Sequence, residues 1–233
     1  MILSPASCSS VPDMLKLVIS PSLLYHNFIR RLLGIILRER NPGRAGVVLP
    51  DRTLFGDGVC ARIKEELQKD KMSQERITKT DKSGNPFEMG LSCPQDFASL
   101  LEMYRTFSPK PASGGLPPED PETCRNWLKT LFRIGLNALA WRGDSVIGHV
   151  ALIPDVKGKS GELVIFVDQN HRNLGIGTEL ARFVLEKFGD LDFELVWATV
   201  RVLNFIAIKL YRKVGFEFCD TDSYERVMAI KLK

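Results

Sequence analysis

No apolar run in the chain approaches the roughly 18–20 residues that a bilayer-spanning helix requires. The longest near the start, Leu32–Leu37 (LLGIIL), stops at Arg38. The opening residues, MILSPASCSS, have neither a basic segment nor a sustained apolar one, so no secretory leader is expected. Cysteine is sparse: Cys8, Cys60, Cys93, Cys124 and Cys219 are odd in number, widely scattered and never paired as CxxC. That spacing argues against a zinc site, predicts no bound metal and fits a reducing compartment, with the cytoplasm as the expected location. What remains is ordinary globular composition, 44% hydrophobic and 26% charged over 233 residues. Disorder throughout and fibrous repeats are thereby excluded.

Charge is unevenly distributed. The chain carries 32 basic and 28 acidic residues, a net charge of +4. Residues 1–84 hold 14 of the former and 9 of the latter, a net +5, which leaves 18 and 19, a net −1, for residues 85–233. The basic surplus belongs to the first third. There, Leu23, Leu24, Phe28, Leu32, Ile35 and Ile36 fall at helical spacing among Arg30, Arg31, Arg38 and Arg40, the pattern of an amphipathic basic helix. A second short helix is expected over Val59–Leu67. The basic helix has three open readings: packing on the main domain or a second copy of the chain, a membrane surface, or nucleic acid. A high isoelectric point is weak evidence for the last, and nucleic acid is not expected as a partner.

The polar stretch Lys79–Pro86 (KTDKSGNP) marks a boundary, giving a basic, partly helical extension at 1–84 and a main domain at 85–233. From Pro86 onward the elements alternate clearly. Strands are predicted at Phe87–Leu91, Asn137–Trp141, Val146–Ile153, Glu162–Val167, Glu194–Val200, Phe216–Cys219 and Val227–Ile230. Helices are predicted at Pro94–Tyr104, Pro121–Ile134 (capped by Asp120), Ile176–Phe188 and Asn204–Val214. Phe107–Glu122 is a long Pro-, Gly- and Ser-rich loop, and Arg142-Gly143-Asp144 reads as a hairpin turn, its RGD lettering coincidental. The fold class is a mixed α/β sheet with helices on both faces.

The most informative segment runs from Val164 to Thr178. A strand passes through a short polar loop into a helix whose first turn contains Arg172-x-x-Gly175-x-Gly177. First-turn amides lack intrahelical acceptors and the helix dipole makes that end partly positive, so the segment is an anion cradle. Gly175 and Gly177 let a pyrophosphate approach the backbone, and Arg172 adds a donor and a charge. A dinucleotide site is not indicated, because GxGxxG and its downstream acidic residue are missing. A P-loop is excluded, because no Lys-Ser or Lys-Thr follows.

These residues resemble the acetyl-coenzyme A signature of the GNAT superfamily of N-acetyltransferases, (Gln/Arg)-x-x-Gly-x-(Gly/Ala). Asn204-x-x-Ala207-x-x-Leu210-Tyr211-x-x-Val214-Gly215-Phe216 is similar to that family's second cofactor segment. Together they span roughly Phe87 to Lys233. The resemblance implies a mostly antiparallel sheet in which the strand ending at Val167 splays from Glu194–Val200 at a bulge. Backbone groups of Ile165 and Val167 would then pair with the pantetheine arm, and the amides of Arg172, Asn173, Leu174, Gly175, Ile176, Gly177 and Thr178 would hold the pyrophosphate. Asn204 would bond the pantetheine arm, and Tyr211 would act as general acid toward the departing thiolate.

For the general base, Glu162 is the first candidate, on the same strand as Val167, and His149 the second. His171 sits in the phosphate loop as a cofactor contact or surface residue. Tyr104-x-x-Phe107-Ser108-Pro109 and Glu162 are similar to bacterial protein-lysine acetyltransferase domains, but Lys110–Leu116 departs from their usual continuation. Glu119 and Asp120 either meet a cationic acceptor or cap a helix. The implied activity is transfer of an acetyl group from acetyl-CoA to a primary amine, on a small molecule or a protein lysine, by direct attack in a ternary complex. The alternative is a non-catalytic acyl-CoA-binding module whose basic N-terminal segment engages a partner, and a third reading makes residues 1–84 a nucleic-acid-binding arm on the enzyme.

Overall fold

A computed structural model describes residues 76–110, 116–155, 159–189, 191, 193–219 and 225–232. The basic helix and the short helix expected at Val59–Leu67 lie outside these residues.

Where a linker was expected, the chain makes a hairpin. Strand β1 (Ile77–Thr80) pairs antiparallel with β2 (Pro86–Leu91), Thr80 facing Pro86. Asp81 closes the turn: its Oδ1 accepts from the amides of Ser83 at 2.8 Å and Asn85 at 3.0 Å. Its other oxygen takes the Arg142 guanidinium, so this carboxylate is buried and paired. The sheet thus begins upstream of the Asn85 boundary. A polar, Gly-containing stretch reads alike as linker or turn; the buried ion pair decides which, and it depends on a residue 61 positions away.

The helices follow from capped amphipathic segments. In α1 (Phe97–Thr106), Leu100, Met103 and Tyr104 are buried. In α2 (Pro121–Ile134), Asp120 caps the first turn by accepting from Thr123 N at 2.8 Å, Pro121 occupies the first helical position, and Cys124, Trp127, Leu128, Leu131 and Ile134 form the buried stripe. Next come β3 (Leu136–Arg142) and β4 (Ser145–Pro154), joined by the two-residue Gly143–Asp144 turn, and β5 (Ser160–Val167). Then follow α3 (Ile176–Gly189), β6 (Leu195–Arg201), α4 (Phe205–Lys213), β7 (Glu217–Phe218) and β8 (Glu225–Lys231).

The strands form one sheet in the order β1-β2-β3-β4-β5-β6-β8-β7. Every pairing is antiparallel except β5 with β6, as the predicted fold class required. Helices cover both faces, so β4 is buried from Val146 to Pro154 and reads as a continuous apolar run. On one face Ile176, Leu180, Val184 and Phe188 of α3 and Tyr211 of α4 pack on Leu136, Val150, Leu163 and Val196. On the other, α1 and α2 pack on Leu139, Trp141, Ala151 and Phe166. Among the described residues, no helix is long and apolar enough to cross a membrane.

Candidate functional site

The site grows from one irregularity in the sheet. Strands β5 and β6 are paired only through Ser160–Leu195, Gly161–Val196 and Glu162–Trp197, and then diverge. The β4–β5 ladder itself runs in unbroken register from Gly148–Val167 to Pro154–Gly161. The expected bulge is absent from that ladder; a separate register shift lies between Ala140 and Trp141, in the β3–β4 pair.

The phase of the β4–β5 ladder decides which groups face the gap. Asp168 N donates to Ile147 O and Asp155 N to Ser160 O. Residues 160–168 of even number therefore turn their N–H and C=O toward β4, and Leu163, Ile165 and Val167 turn theirs away from it, toward the opening. Val167 O is already engaged, accepting from Arg172 Nε at 3.1 Å. That leaves its amide and the groups of Ile165.

Side chains alternate as well. Leu163 joins the core under α3, whereas Val164 and Phe166 join the cluster under α1 and α2. Glu162 shares the second face with Thr199 of β6, whose neighbours Ala198 and Val200 turn to the first. Glu162 stands at the last paired position, 6% exposed. Burial pushes its carboxyl up to about 8, and a hydrogen bond with Thr199 pulls the other way. Its Oε2 is buried without a hydrogen-bond partner among the described residues. A carboxyl with one oxygen held and the other free is uncommon in a structural role, where both would be satisfied. Tyr211 belongs to the opposite core face, its ring 5.2 Å from that of Phe216. Burial first, and the charge of Glu162 second, raise its phenol above the usual range, so it stays protonated.

Beyond β5, Asp168 caps a short turn, accepting from Asn170 N at 3.0 Å and meeting His171 Nδ1 at 2.9 Å, which ties His171 to the loop itself. Asn173 and Gly175 take positive φ, 64° and 91°. Thr178 N and Glu179 N donate to Gly175 O, so the Thr178 amide is engaged within the turn. The amides from Arg172 to Gly177 have no acceptor among the described residues, and those of Ile176 and Gly177 belong to buried residues. Such a run of unsatisfied donors fits the phosphates of acetyl-CoA.

Two residues have structural roles that the sequence did not show. Gly177 lacks a side chain for packing: a Cβ there would lie 2.8 Å from Leu210 Cδ1 and 3.3 Å from Val167 Cγ2, so the glycine lets α4 and β5 close on α3. Arg172 also has a structural role, although carbonyl acceptors leave its charge uncompensated. Besides Val167 O, its guanidinium donates to Ser108 O at 2.6 Å and lies over the Phe107 ring. With Gln169, which bridges Ser108 N and Thr106 O, it fastens the segment after α1 to the end of β5.

Asn204 caps α4, its Oδ1 accepting from Ala207 N at 3.1 Å. His149 is wholly buried, and burial lowers its imidazole to about 3. Asn137 Nδ2 donates to Leu131 O and Gly135 O, so Asn137 Oδ1 accepts from His149 Nε2, 2.9 Å away. His149 Nδ1 then accepts from Tyr104 Oη at 2.9 Å. Both ring nitrogens are committed in a network joining α1, α2, β3 and β4. Tyr104→Phe leaves Nδ1 unsatisfied in the core and lowers unfolding free energy by about 1–2 kcal/mol, measured by denaturant titration; an unchanged midpoint would refute the network's structural weight. The sequence reading missed Thr199, Gln169 and Tyr104 in these positions. Each is set by register or packing between distant strands and helices; only Tyr104 belongs to a local motif, and that motif does not point to His149.

Comparison with known proteins agrees with this geometry. The family model "Acetyltransferase (GNAT) family" matches residues 98–216. The fold is similar to that of the GNAT domain of S. lividans PAT, 14% identical over 67% of this chain and 96% of that one, with a TM-score of 0.54. It is also similar to a GNAT-family acetyltransferase from Streptococcus pneumoniae, 18% identical over 63% and 99% of the two chains, with a TM-score of 0.52. A third is yncA of Salmonella typhimurium, solved with its cofactor acetyl-CoA, 15% identical over 64% and 95%, with a TM-score of 0.53. At these identities the structures speak for the fold, whereas the family model takes in more than half of the chain, both glycine-bearing segments and the gap between β5 and β6. This chain belongs to the GNAT family of acetyltransferases, which use acetyl-CoA.

Proposed function

We propose that this acetyltransferase transfers the acetyl group to a primary amine by direct attack in a ternary complex, with Glu162 as general base and Tyr211 as general acid. One observation carries this reading: a buried carboxyl with an unpartnered oxygen, its ionisation moved up to about 8, stands where β5 and β6 part. A base is most effective when its pKa lies near the working pH, because it is then both ionised and basic. Acetyl-CoA supplies the acetyl thioester. The free amides between Arg172 and Gly177 bind its phosphates, and the exposed strand edge at Ile165 and Val167, with Asn204 across the gap, binds the pantetheine arm. Glu162 accepts a proton from the attacking amine, directly or through a water. Tyr211 keeps its proton at Oη and gives it to the departing sulfur. His149 has no free nitrogen for the base role.

The acceptor is a primary amine, on a small molecule or a protein lysine. Asp120, weighed as a contact for a cationic acceptor, spends its Oδ2 on the α2 cap, which favours the capping role. The test is an acceptor screen: protein, acetyl-CoA and a panel of polyamines, amino acids and lysine-bearing peptides, with free thiol and acetylated product measured together. Thiol release matched by an N-acetyl product on at least one amine is the expected result. Thiol release without N-acetyl product, or an acyl-enzyme trapped on the protein, would overturn direct transfer to an amine.

A further inference from the structure

We infer that Lys82, from the β1–β2 hairpin, adds a positive charge to that of Arg172 beside the cradle, and binds a phosphate group of acetyl-CoA. The inference rests on the reading of residues 172–177 as the phosphate cradle and adds to it a residue upstream of the stretch matched to the family. Lys82 N donates to Leu174 O at 3.0 Å, which pins the hairpin tip onto the cradle. Its side chain then runs over Gly175: a Cβ on that glycine would lie 3.7 Å from both Cγ and Cε of Lys82. The ammonium is one bond beyond Cε, and Gly175 lies within the run of unsatisfied amides.

Among the cations around the cradle, this lysine stands out by its lack of a protein partner for its side chain among the described residues. Arg172 is turned to Val167 O and Ser108 O. Lys79 lies 3.8 Å and Arg182 2.6 Å from the carboxylate of Glu179 in the first turn of α3, so both cations are paired with that one carboxylate, which offsets a single charge. The nearest acid of the hairpin, Asp81, is occupied by Arg142 and two backbone amides. Lys82 is exposed and has no carboxylate partner among the described residues. An exposed lysine held by its backbone beside a run of free amides complements a dianionic phosphate, and a charge-assisted contact of this kind changes affinity by about tenfold.

The test uses the full-length protein and isothermal titration with acetyl-CoA, coenzyme A and 3′-dephospho-coenzyme A at low and high salt. Lys82→Gln is expected to weaken acetyl-CoA binding about tenfold at low ionic strength and less at high. Lys82→Arg is expected to keep most of the affinity, and kcat at saturating acetyl-CoA to be unchanged in both. A Gln penalty that persists on 3′-dephospho-coenzyme A places the lysine on the pyrophosphate; a penalty that vanishes there places it on the 3′-phosphate. Gln and parent proteins binding equally at low salt would overturn the role of Lys82 while leaving the cradle intact. Parent protein that fails to bind acetyl-CoA would overturn the cradle and Lys82 together.

Discussion

Glu162→Gln lowers turnover by about 10²–10⁴-fold, the range for loss of a general base, while acetyl-CoA affinity stays within a factor of about two of the parent. The amide keeps the size and polarity of the side chain, so the Thr199 contact and the packing survive and only proton acceptance is lost. The pH profile separates this from a structural effect. In the parent, burial holds the carboxyl protonated below about 8, so kcat/KM shows a step with pH through that value in addition to the rise from ionisation of the amine acceptor. In the Gln variant that step disappears and only ionisation of the amine acceptor remains. Stability carries the opposite sign. A carboxyl raised on folding favours the native state below its unfolded value and loses that contribution as pH rises through about 8. The parent's Tm therefore falls between pH 5 and 9 more steeply than that of the Gln variant. A variant with parental rate removes Glu162 from the mechanism; one with parental pH dependence assigns the step to another group.

Tyr211→Phe costs about 10²-fold in kcat with little change in Tm. The ring keeps its place against Phe216 and the α3-side core, and only the hydroxyl is removed. Because the phenol is raised above its usual range, it stays protonated throughout the range in which Glu162 ionises. The Phe variant therefore retains the parent's step near pH 8 at a uniformly lower rate. Steady-state kinetics across pH with thermal unfolding of the same samples provide the check. Full activity in the Phe variant means that the thiolate leaves without this proton.

The two glycine-bearing segments show how far local sequence reaches. Helix starts are local events: a capping Asp120 before Pro121, or Asn204 before a periodic apolar stripe, fixes the end of a helix from its own residues. Short apolar runs between turn residues are local too, which is why β3, β4 and β5 were legible in the sequence. The hairpin at 79–86 was not, because a turn and a linker share their composition, and only Asp81 meeting Arg142 distinguishes them.

For the candidate site, the sequence by itself determined that a strand carrying Glu162 leads through a polar loop into the glycine-bearing start of a helix, and that Tyr211 lies on the helix after Asn204. Tertiary structure alone decided what those groups are free to do. Divergence of β5 from β6 after Glu162 opens the strand edge at Ile165 and Val167. Burial leaves one Glu162 oxygen unpartnered, while Tyr104 and Asn137 consume both nitrogens of His149. Arg172 turns to carbonyls of β5 and of the segment after α1, and the hairpin lays Lys82 over Gly175. The physical reason is the same in each case. A residue's type sets the chemistry it can perform, but its charge state and its unused hydrogen bonds depend on partners brought to it from distant parts of the chain.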